Sequence, residues 1–227
     1  MKIIMPVWIV NEDLVNLTID AAESLKGELI IIDNGSPMGG GVMRELAHTY
    51  IRNKENLGYA RAVNQGLKLC KNETVAIANN DIKVSANWED VANNILENKL
   101  VGSVHFRMIP YTQAFNPGND IWIGGKERWC TSSFFVVRNR ILYDENYLNT
   151  YDDWDYWKRF RKLYKQAYTN KAEYQHVNSY TQQFVAKRSE NDTKNREYFK
   201  KKHGGYPEDL FEKEFPGQLS QPWLPQP

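Results

Sequence analysis

Residues 74–85 read TVAIANNDIKVS, and this stretch decides the fold. Its first five residues are apolar or β-branched and predict a short strand buried on both faces, which is typical of a parallel sheet covered by helices. The strand ends in Asn79, Asn80 and Asp81, three polar side chains in a row. Ligands of open α/β sheets bind at the carboxyl ends of the strands, so this polar ending predicts a binding site.

The same alternation of strand and helix signals runs through the first hundred residues. Strands are predicted at 2–5, 28–32, 49–52 and 74–78, and helices at 12–25, 42–47, 59–70 and 88–96. The strand ELIII at 28–32 ends in Asp33, which is followed by the turn-forming Asn-Gly-Ser. A second carboxylate is therefore expected at a strand end, and the fold class is α/β with a mostly parallel sheet flanked by helices.

The second half is less regular. Strands are predicted at 100–107, 129–137 and 173–177, a long loop at 110–125, and helices at 151–166 and 191–202. From Gly204 onward, Gly and Pro predict a tail that is extended over the body or partly disordered.

The composition fits one large globular domain or a core domain with an appendage. Of 227 residues, 41% are hydrophobic and 25% are charged, so a sizeable core can form. A net charge of +1 excludes binding of polyanions by bulk charge. Pro6 interrupts the first apolar run, so neither a secretory signal nor a membrane span is expected. Cys70 and Cys130 are far apart in sequence, which favours reduced thiols in a cytoplasmic protein.

Two of the strand-end carboxylates have both a functional and a purely structural interpretation. Asp33 either forms a turn or accepts hydrogen bonds from a nucleobase or ribose. Asp81 either ends a strand in a polar turn or binds a divalent cation on a diphosphate, because magnesium and manganese often use only one or two carboxylates together with phosphate oxygens and water.

Three more carboxylates, Asp152, Asp153 and Asp155, open the helix predicted at 151–166. The helix dipole favours negative charge there, which is a sufficient structural reason for them. The helix also carries an apolar stripe, which would hold a carboxylate at its start in a fixed place, as a general base requires. The stripe consists of Trp154, Trp157, Phe160 and Tyr164.

His176 in EYQHVNS is a weaker candidate. A lone histidine is more often structural than a ligand, and it gains weight only if it completes a metal or phosphate site.

Taken in order, these segments resemble the inverting family 2 glycosyltransferases with the GT-A fold, in particular the rhamnosyltransferase-like branch. The matching text is MPVWIVNE, IIIDNGS, ENLGYARAVNQGL, VAIANNDI, YDENYLNTYDDWDYWKRF and QHVNS, and it covers residues 1–180. That branch often shows Asn-Asn-Asp in place of Asp-x-Asp. The resemblance implies a GT-A domain at 1–180, with a nucleotide-sugar-binding half at 1–100 and an acceptor and catalytic half at 101–180. A basic helix and a Pro-containing tail would follow at 181–227.

On the donor side, the resemblance implies a nucleotide-sugar donor, and we favour a UDP-sugar. Pro6 and Trp8 would lie in the first nucleotide-binding loop, and Asp33 would contact the base. The segment that lines the nucleotide-sugar site would contribute Asn56, Gly58, Arg61 and Asn64.

The resemblance also assigns the diphosphate and the base. Asp81 would bind manganese or magnesium, His176 would reach the metal or the diphosphate, and Asn79 and Asn80 would lie near the sugar and ribose. Asp153 would be the general base, with Asp152 in place of the usual Glu, a mild departure from the family pattern. The implied reaction is a single in-line displacement with inversion.

The acceptor is not readable from these motifs. Trp122, Trp129 and Asp155 are candidate acceptor residues, although both tryptophans could simply pack under the loop. A glycan, a lipid-linked saccharide and a 5-hydroxymethylpyrimidine in DNA all remain possible acceptors.

The segment 185–204 contains seven Lys or Arg and three Asp or Glu, a net charge of +4. Most such runs are solvated helix faces, and the sharper interpretation is contact with DNA phosphates or with anionic lipid at a membrane surface. A non-catalytic protein that binds sugar nucleotides or glycans is the alternative function. A nucleotidyltransferase is disfavoured because no Gly-rich basic loop follows the first strand, and a pure DNA-binding module is the least favoured.

Overall fold

The computed structural model describes residues 1–109, 120–124, 132–177 and 188–214. Trp129, Cys130 and the tail beyond residue 214 lie outside the described residues. The strands are β1 (Lys2–Val7), β2 (Glu28–Asp33), β3 (Thr49–Arg52), β4 (Thr74–Ala78), β5 (Ile82–Val84), β6 (Val101–Ile109), β7 (Ile121–Gly124), β8 (Phe134–Arg138) and β9 (Lys165–His176). The helices are α1 (Glu12–Leu25), α2 (Gly40–Leu46), α3 (Tyr59–Leu69), α4 (Trp88–Leu96), α5 (Asp152–Phe160), α6 (Arg188–His203) and α7 (Pro207–Glu214).

All the described strands belong to one sheet, in the order β3-β2-β1-β4-β8-β6-β9-β5, with β7 also paired to β9. The first four strands pair in parallel. Beyond β4 the sheet is mixed, since β8 is antiparallel to both neighbours while β6 and β9 are parallel. The prediction of an α/β sheet flanked by helices is confirmed. The carboxyl ends of β1, β2 and β4 meet at one edge, which brings their polar endings together.

Helices cover both faces of this sheet. Alternate residues of β1 face opposite sides, as the pleat requires. Ile3 and Met5 pack with α1 and α4 in one core cluster, and Ile4 packs with α3 and α5 in the other. Two separate cores therefore hold the sheet edge in place from both sides.

Helix α1 shows how local sequence sets an element. Asn11 caps it, because its side chain accepts a hydrogen bond from the Leu14 backbone N–H at 3.0 Å. Apolar residues at helical spacing are buried against the sheet, and the chain leaves the helix at Lys26 in a left-handed conformation (φ 50°). The predicted bounds of this helix are confirmed.

Helix α3 lies very close to β1 at Gly66. A Cβ atom at that position would lie 2.5 Å from Ile4 Cγ2, so alanine cannot fit unless the core shifts. We expect Gly66→Ala to lower the free energy of unfolding by about 1–3 kcal/mol in denaturant titrations. Gly41→Ala in α2 is the control, because it meets open space and should stabilise the helix by roughly 0.5–1 kcal/mol. Equal effects of the two substitutions would contradict this account.

Four secondary-structure predictions were wrong. The helix predicted at 151–166 ends at Phe160, and strand β9 occupies residues 165–176, pairing with β6 along its length. Strand β7 lies within the predicted loop, and strand β5 was missed. The tail predicted as extended contains α7. These elements depend on partners distant in sequence, except for α7, whose Pro207 and acidic first turn are ordinary helix-start signals.

Among the described residues, no helix is both long enough and apolar enough to cross a membrane.

Candidate functional site

Asp33 at the end of β2 is completely buried and fully hydrogen-bonded. Its Oδ1 accepts the Ser36 backbone N–H at 2.8 Å, and its Oδ2 accepts the Tyr50 hydroxyl at 2.5 Å and Arg52 Nη1 at 2.9 Å. Arg52 also donates to the Ser36 carbonyl, and its side chain is 44% exposed. Arg52 is therefore the group that this carboxylate holds at the sheet edge.

Sequence reasoning missed Tyr50 and Arg52. They occupy alternate positions of β3, and the parallel register places Arg52 opposite Asp33. Two polar side chains at period two on a short strand beside a strand-end carboxylate were the available signal.

A network of neutral amides shapes the loop before α3. Asn34 is buried, donates from Nδ2 to Asn56 Oδ1 at 2.8 Å, and accepts at Oδ1 from Asn53 Nδ2 and the Leu57 N–H, both at 3.0 Å. Gly58 follows with φ 88°, a conformation that favours glycine. Asn56 and Gly58 therefore set the shape of the loop.

The structure does not bring every predicted donor residue to this edge. Asn64 is turned inward, where Nδ2 donates to the Tyr143 carbonyl and to Glu145 Oε1, both at 2.9 Å, and Oδ1 accepts the Tyr143 N–H. Its amide is therefore used inside the fold, and its place in the nucleotide-sugar site stays a prediction. Arg61 is exposed at the start of α3.

The first predicted loop also needs a correction. Pro6 lies within β1, paired in register with Ile32, and Trp8 is the first residue after that strand. Both residues are half-buried. The Ile9 N–H donates to Ser36 Oγ, which ties this loop to the Asp33 turn.

The three polar residues after β4 point in different directions. Asn80 is buried and donates from Nδ2 to Thr18 Oγ1 of α1 at 2.9 Å, so its amide supports the fold, and its place near the sugar stays a prediction. Asn79 is half-buried, and its backbone N–H donates to the Ser133 carbonyl at 2.8 Å.

Asp81 faces His176, with 3.1 Å between Oδ1 and Nε2. The two side chains are 4% and 10% exposed. Neither atom makes a well-aligned hydrogen bond within the described part of the chain. A buried carboxylate oxygen and a buried ring nitrogen that face each other in this way fit a divalent cation, with the remaining ligands from phosphate and water. No group of three or more acidic, His or Cys residues that could hold a metal is found among the described residues.

Asp152 and Asp153 form the first turn of α5. Asp152 Oδ1 accepts the Asp153 N–H at 3.0 Å, and Asp153 Oδ1 accepts the Trp154 N–H at 2.8 Å. Burial raises the pKa of both carboxyls above the usual range, and the charge of Asp152 raises the pKa of Asp153 further. Asp153 therefore binds a proton more tightly than an ordinary aspartate, which suits a general base that works near neutral pH.

Tyr59 connects the two halves of the site. Burial raises the pKa of its phenol, and the charges of Asp152 and Asp153 add to that increase. Its hydroxyl donates to the Ser132 carbonyl at 3.1 Å, and the neighbouring Ser133 carbonyl accepts the Asn79 N–H. The charges at the start of α5 therefore act on Tyr59, whose hydroxyl binds the same short segment that binds the end of β4. Tyr59 was not singled out from the sequence.

Asp155 does not belong to this group. It is fully buried, its Oδ2 accepts Arg159 Nε at 2.7 Å, and its Oδ1 lies 2.6 Å from Lys202 Nζ and 2.8 Å from His203 Nε2. Burial alone would raise its pKa, but the hydrogen bonds from His203, Lys202 and Arg159 outweigh burial and lower the pKa. The carboxylate is therefore enclosed by Arg159, Lys202 and His203 of the same chain, and its contact with an acceptor stays a prediction.

Trp122 is also used by the fold. It lies on β7, half-buried, with its ring centroid 5.2 Å from that of Tyr168. Packing explains its position without an acceptor.

One known protein family matches most of this chain. The family model described as glycosyl transferase family 2 matches residues 2–188. The chain belongs to glycosyltransferase family 2. No curated protein matches the chain in a sequence search.

Solved structures of glycosyltransferases share the fold. TarS 1-349 from S. aureus is similar with TM-score 0.59 at 11% identity, over 78% of this chain and 60% of that chain. The mannosyltransferase PcManGT from Pyrobaculum calidifontis, in complex with GDP-Man and Mn2+, gives TM-score 0.55 at 15% identity, over 78% and 56%. GalNAc-T7 with UDP, GalNAc and Mn2+ gives 0.59 at 11% identity, over 94% and 56%. This family member therefore has the GT-A fold and spans no more than about 60% of the length of these structures.

Proposed function

We propose that the chain transfers a sugar from a nucleoside diphosphate sugar, with a UDP-sugar favoured, to an acceptor hydroxyl with inversion. The observation that carries the proposal is Asp153, a carboxylate of raised pKa at the fixed start of a helix. The family membership supports it. So do the ligands of the similar structures, which are UDP, GDP-Man and Mn2+.

In the proposed reaction, Asp153 accepts the proton of the acceptor hydroxyl. The hydroxyl oxygen then forms a bond to the anomeric carbon, and the bond from that carbon to the diphosphate oxygen breaks on the opposite face. General base catalysis of this kind contributes about 10²–10⁴-fold to the rate.

Asp81 and His176 would hold a divalent cation, manganese or magnesium, which neutralises charge on the leaving diphosphate when bound. Arg52, positioned by Asp33, would lie at the nucleotide end of the sheet edge. The loop held by Asn34 and Gly58 would line the same cleft.

Removal of the Asp81 carboxylate should weaken nucleotide binding only when metal is present. We expect Asp81→Asn to lower the affinity for UDP in manganese by about tenfold or more, by analogy with the loss caused by perturbing metal sites, and to leave the weak metal-free binding unchanged. Titration calorimetry with and without manganese measures both. Glu173→Gln on the same strand as His176 is the control, since Glu173 pairs with the partly exposed Arg107. Equal loss in the presence and absence of metal would contradict the metal assignment.

A glycan or lipid-linked saccharide is the acceptor that we favour over DNA. Part of the charge on the basic helix is used within the protein, since Lys202 pairs with Asp144 and Asp155, and Arg196 pairs with Glu208. That use leaves less charge for a polyanion.

The test is release of nucleoside diphosphate from a panel of nucleotide sugars with manganese, with and without DNA containing 5-hydroxymethylpyrimidines. Metal-dependent release from one donor is expected. If the modified DNA stimulates release of nucleoside diphosphate, DNA and not a glycan is the acceptor. If no donor binds, the enzymatic proposal is wrong, and if a donor binds without turnover, a non-catalytic sugar-nucleotide-binding protein remains.

A further inference from the structure

Two helices lie beyond the part of the chain that the family model matches. The match ends at residue 188, and α6 begins at that residue, followed by α7. Both helices pack back toward α5, with Phe211 of α7 against Trp154 (ring centroids 5.1 Å apart) and Lys202 of α6 against Asp155. They therefore contact the helix that carries the candidate base.

Asn195 of α6 makes the most specific of these contacts. It is a buried polar side chain, 4% exposed. Its Nδ2 lies 3.1 Å from the Leu148 carbonyl, 3.0 Å from the Thr150 carbonyl and 2.8 Å from Thr150 Oγ1, and its Oδ1 accepts the Leu148 N–H at 3.4 Å. One amide thus binds both ends of the segment 148–150.

The slightly longer segment 148–151 holds two residues in an unfavourable backbone conformation. Asn149 and Tyr151 have φ of 61° and 60°, in the left-handed region that non-glycine residues rarely adopt. Such residues cost on the order of 1 kcal/mol or more each and persist only where the surroundings fix them. Tyr151 directly precedes Asp152 as the N-cap of α5. Its backbone conformation therefore sets the direction in which Asp152 and Asp153 leave the segment.

The segment also reaches the nucleotide half. Asn149 Oδ1 accepts the Tyr59 N–H at 2.8 Å, at the first residue of α3. The Leu148 side chain fills the space beside Gly58, where a Cβ would lie 2.7 Å from Leu148 Cδ1. A shift of the segment would therefore move the base relative to the donor loop.

A second contact fixes Tyr151 from α7. The Tyr151 hydroxyl donates to Glu208 Oε1 at 3.2 Å, and Arg196 Nε of α6 lies 3.2 Å from Glu208 Oε2. Helix α7 thus binds the residue before the acidic pair, and α6 holds the carboxylate that makes this bond.

We propose that α6 and α7 brace the segment 148–151 and so position Asp153 for proton abstraction, with Asn195 as the principal positioning residue. This inference rests on the proposed function for its kinetic consequence, and its structural part stands independently. Asn195 contacts Leu148 and Thr150, so it acts on Asp153 only through the chain that follows them.

The test compares Asn195→Ala with Lys194→Ala, an exposed neighbour on the same helix. Misplacement of a reacting group by about 1 Å can cost 10²-fold in rate, so we expect Asn195→Ala to lower kcat by roughly tenfold to a hundredfold. The KM for the nucleotide sugar should stay within about twofold of wild type. Lys194→Ala should change neither. An unchanged kcat, or a fall in donor affinity as large as the fall in kcat, would overturn the positioning role.

Hydrogen exchange of the backbone amides of residues 152–154 gives a readout that does not depend on turnover. Faster exchange in Asn195→Ala than in Lys194→Ala supports the brace. If the protein turns over no donor, that result counts against the proposed function and not against the brace. Equal exchange overturns the brace. If Asn195→Ala does not fold, Tyr151→Phe removes only the hydroxyl bound to Glu208, and it should show the same split between kcat and KM to a smaller degree.

Discussion

Replacing Asp153 by asparagine should remove sugar transfer while the nucleotide sugar still binds. Asparagine keeps the size and can keep the acceptor oxygen for the Trp154 N–H, which Asp153 now accepts at 2.8 Å, but it cannot take a proton. The expected loss is about 10²–10⁴-fold in kcat. Single-turnover transfer and titration calorimetry with the donor measure the two properties separately. Normal transfer by this variant would refute the assignment of the base.

The same substitution should make the protein more stable at neutral pH. Burial and the charge of Asp152 raise the pKa of Asp153 in the folded state. The folded chain therefore holds this proton more tightly than the unfolded chain, and wild type loses stability as pH rises from about 4, the usual aspartate value, through the raised pKa. Asparagine has no charge to bury. The melting temperature of the Asp153→Asn protein should therefore exceed that of wild type near pH 7 and approach it in acid.

Asp152→Asn removes the charge beside the candidate base Asp153 and leaves the base itself in place. Wild-type transfer should fall as pH decreases through the raised pKa of Asp153, because the protonated acid cannot act as a base. Asparagine at 152 can keep the hydrogen bond from the Asp153 N–H and removes the neighbouring charge. The acid limb of the pH–rate profile should therefore move to lower pH while transfer persists. An unmoved limb would show that Asp152 does not influence the base.

Asp155→Asn, two residues further along the same helix, should have the opposite effect on stability. Asp155 is buried against Arg159, Lys202 and His203. The amide would remove the counter-charge beside Arg159 and one of the two carboxylates beside Lys202, which also pairs with Asp144. Removing one member of a buried ion pair typically lowers the free energy of unfolding by about 3–5 kcal/mol. Because Lys202 and Arg159 are partly exposed, we expect the low end of this range, about 3 kcal/mol. Denaturant titration at pH 7 measures the loss.

The pH dependence of this loss distinguishes it from a packing defect. The pKa of Asp155 is lowered in the folded state, so its stabilisation is present above the unfolded value near pH 4 and disappears as pH falls through the folded value. The difference between Asp155→Asn and wild type should therefore shrink in acid. A constant difference down to low pH would indicate a packing effect, and a stabilised Asp155→Asn protein would contradict the ion-pair account. Asp153→Asn on the same helix is the matched control of opposite sign.

The fold of the first hundred residues was predictable because local sequence signals agree with the tertiary structure there. Asn11 caps α1, and ELIII ends at the turn that Asp33 begins, so the chain between residues 1 and 96 largely follows its own periodicity. The sequence after Phe160 continues with strong helix formers, yet the helix stops and Tyr164 packs over Gly102 of β6. Strand β9 forms because it pairs in parallel with β6, and the local sequence does not predict this pairing.

The site shows the same division. Residue type and order single out Asp81, His176 and Asp153 as candidates, whereas the burial of Asp81 and His176 and the raised pKa of Asp153 depend on tertiary packing. The separate role of Asp155 could have been predicted from the sequence. Residues two apart on a helix lie about 200° apart around its axis, so Asp153 and Asp155 point to different sides of α5. Asn195 gave no signal, because its partners are backbone atoms more than forty residues away.

The buried Asn34 also governs how this molecule ages. Asn34 precedes Gly35, and an asparagine before glycine is chemically labile because the unhindered following nitrogen can attack the side-chain carbonyl and release ammonia. In the fold, hydrogen bonds hold both ends of the Asn34 amide, and Gly35 is fixed at φ 77°. The attack is open only when this loop unfolds. The carboxylate that results would lack the N–H donor that now binds Asn56, so each such event permanently alters the loop before α3.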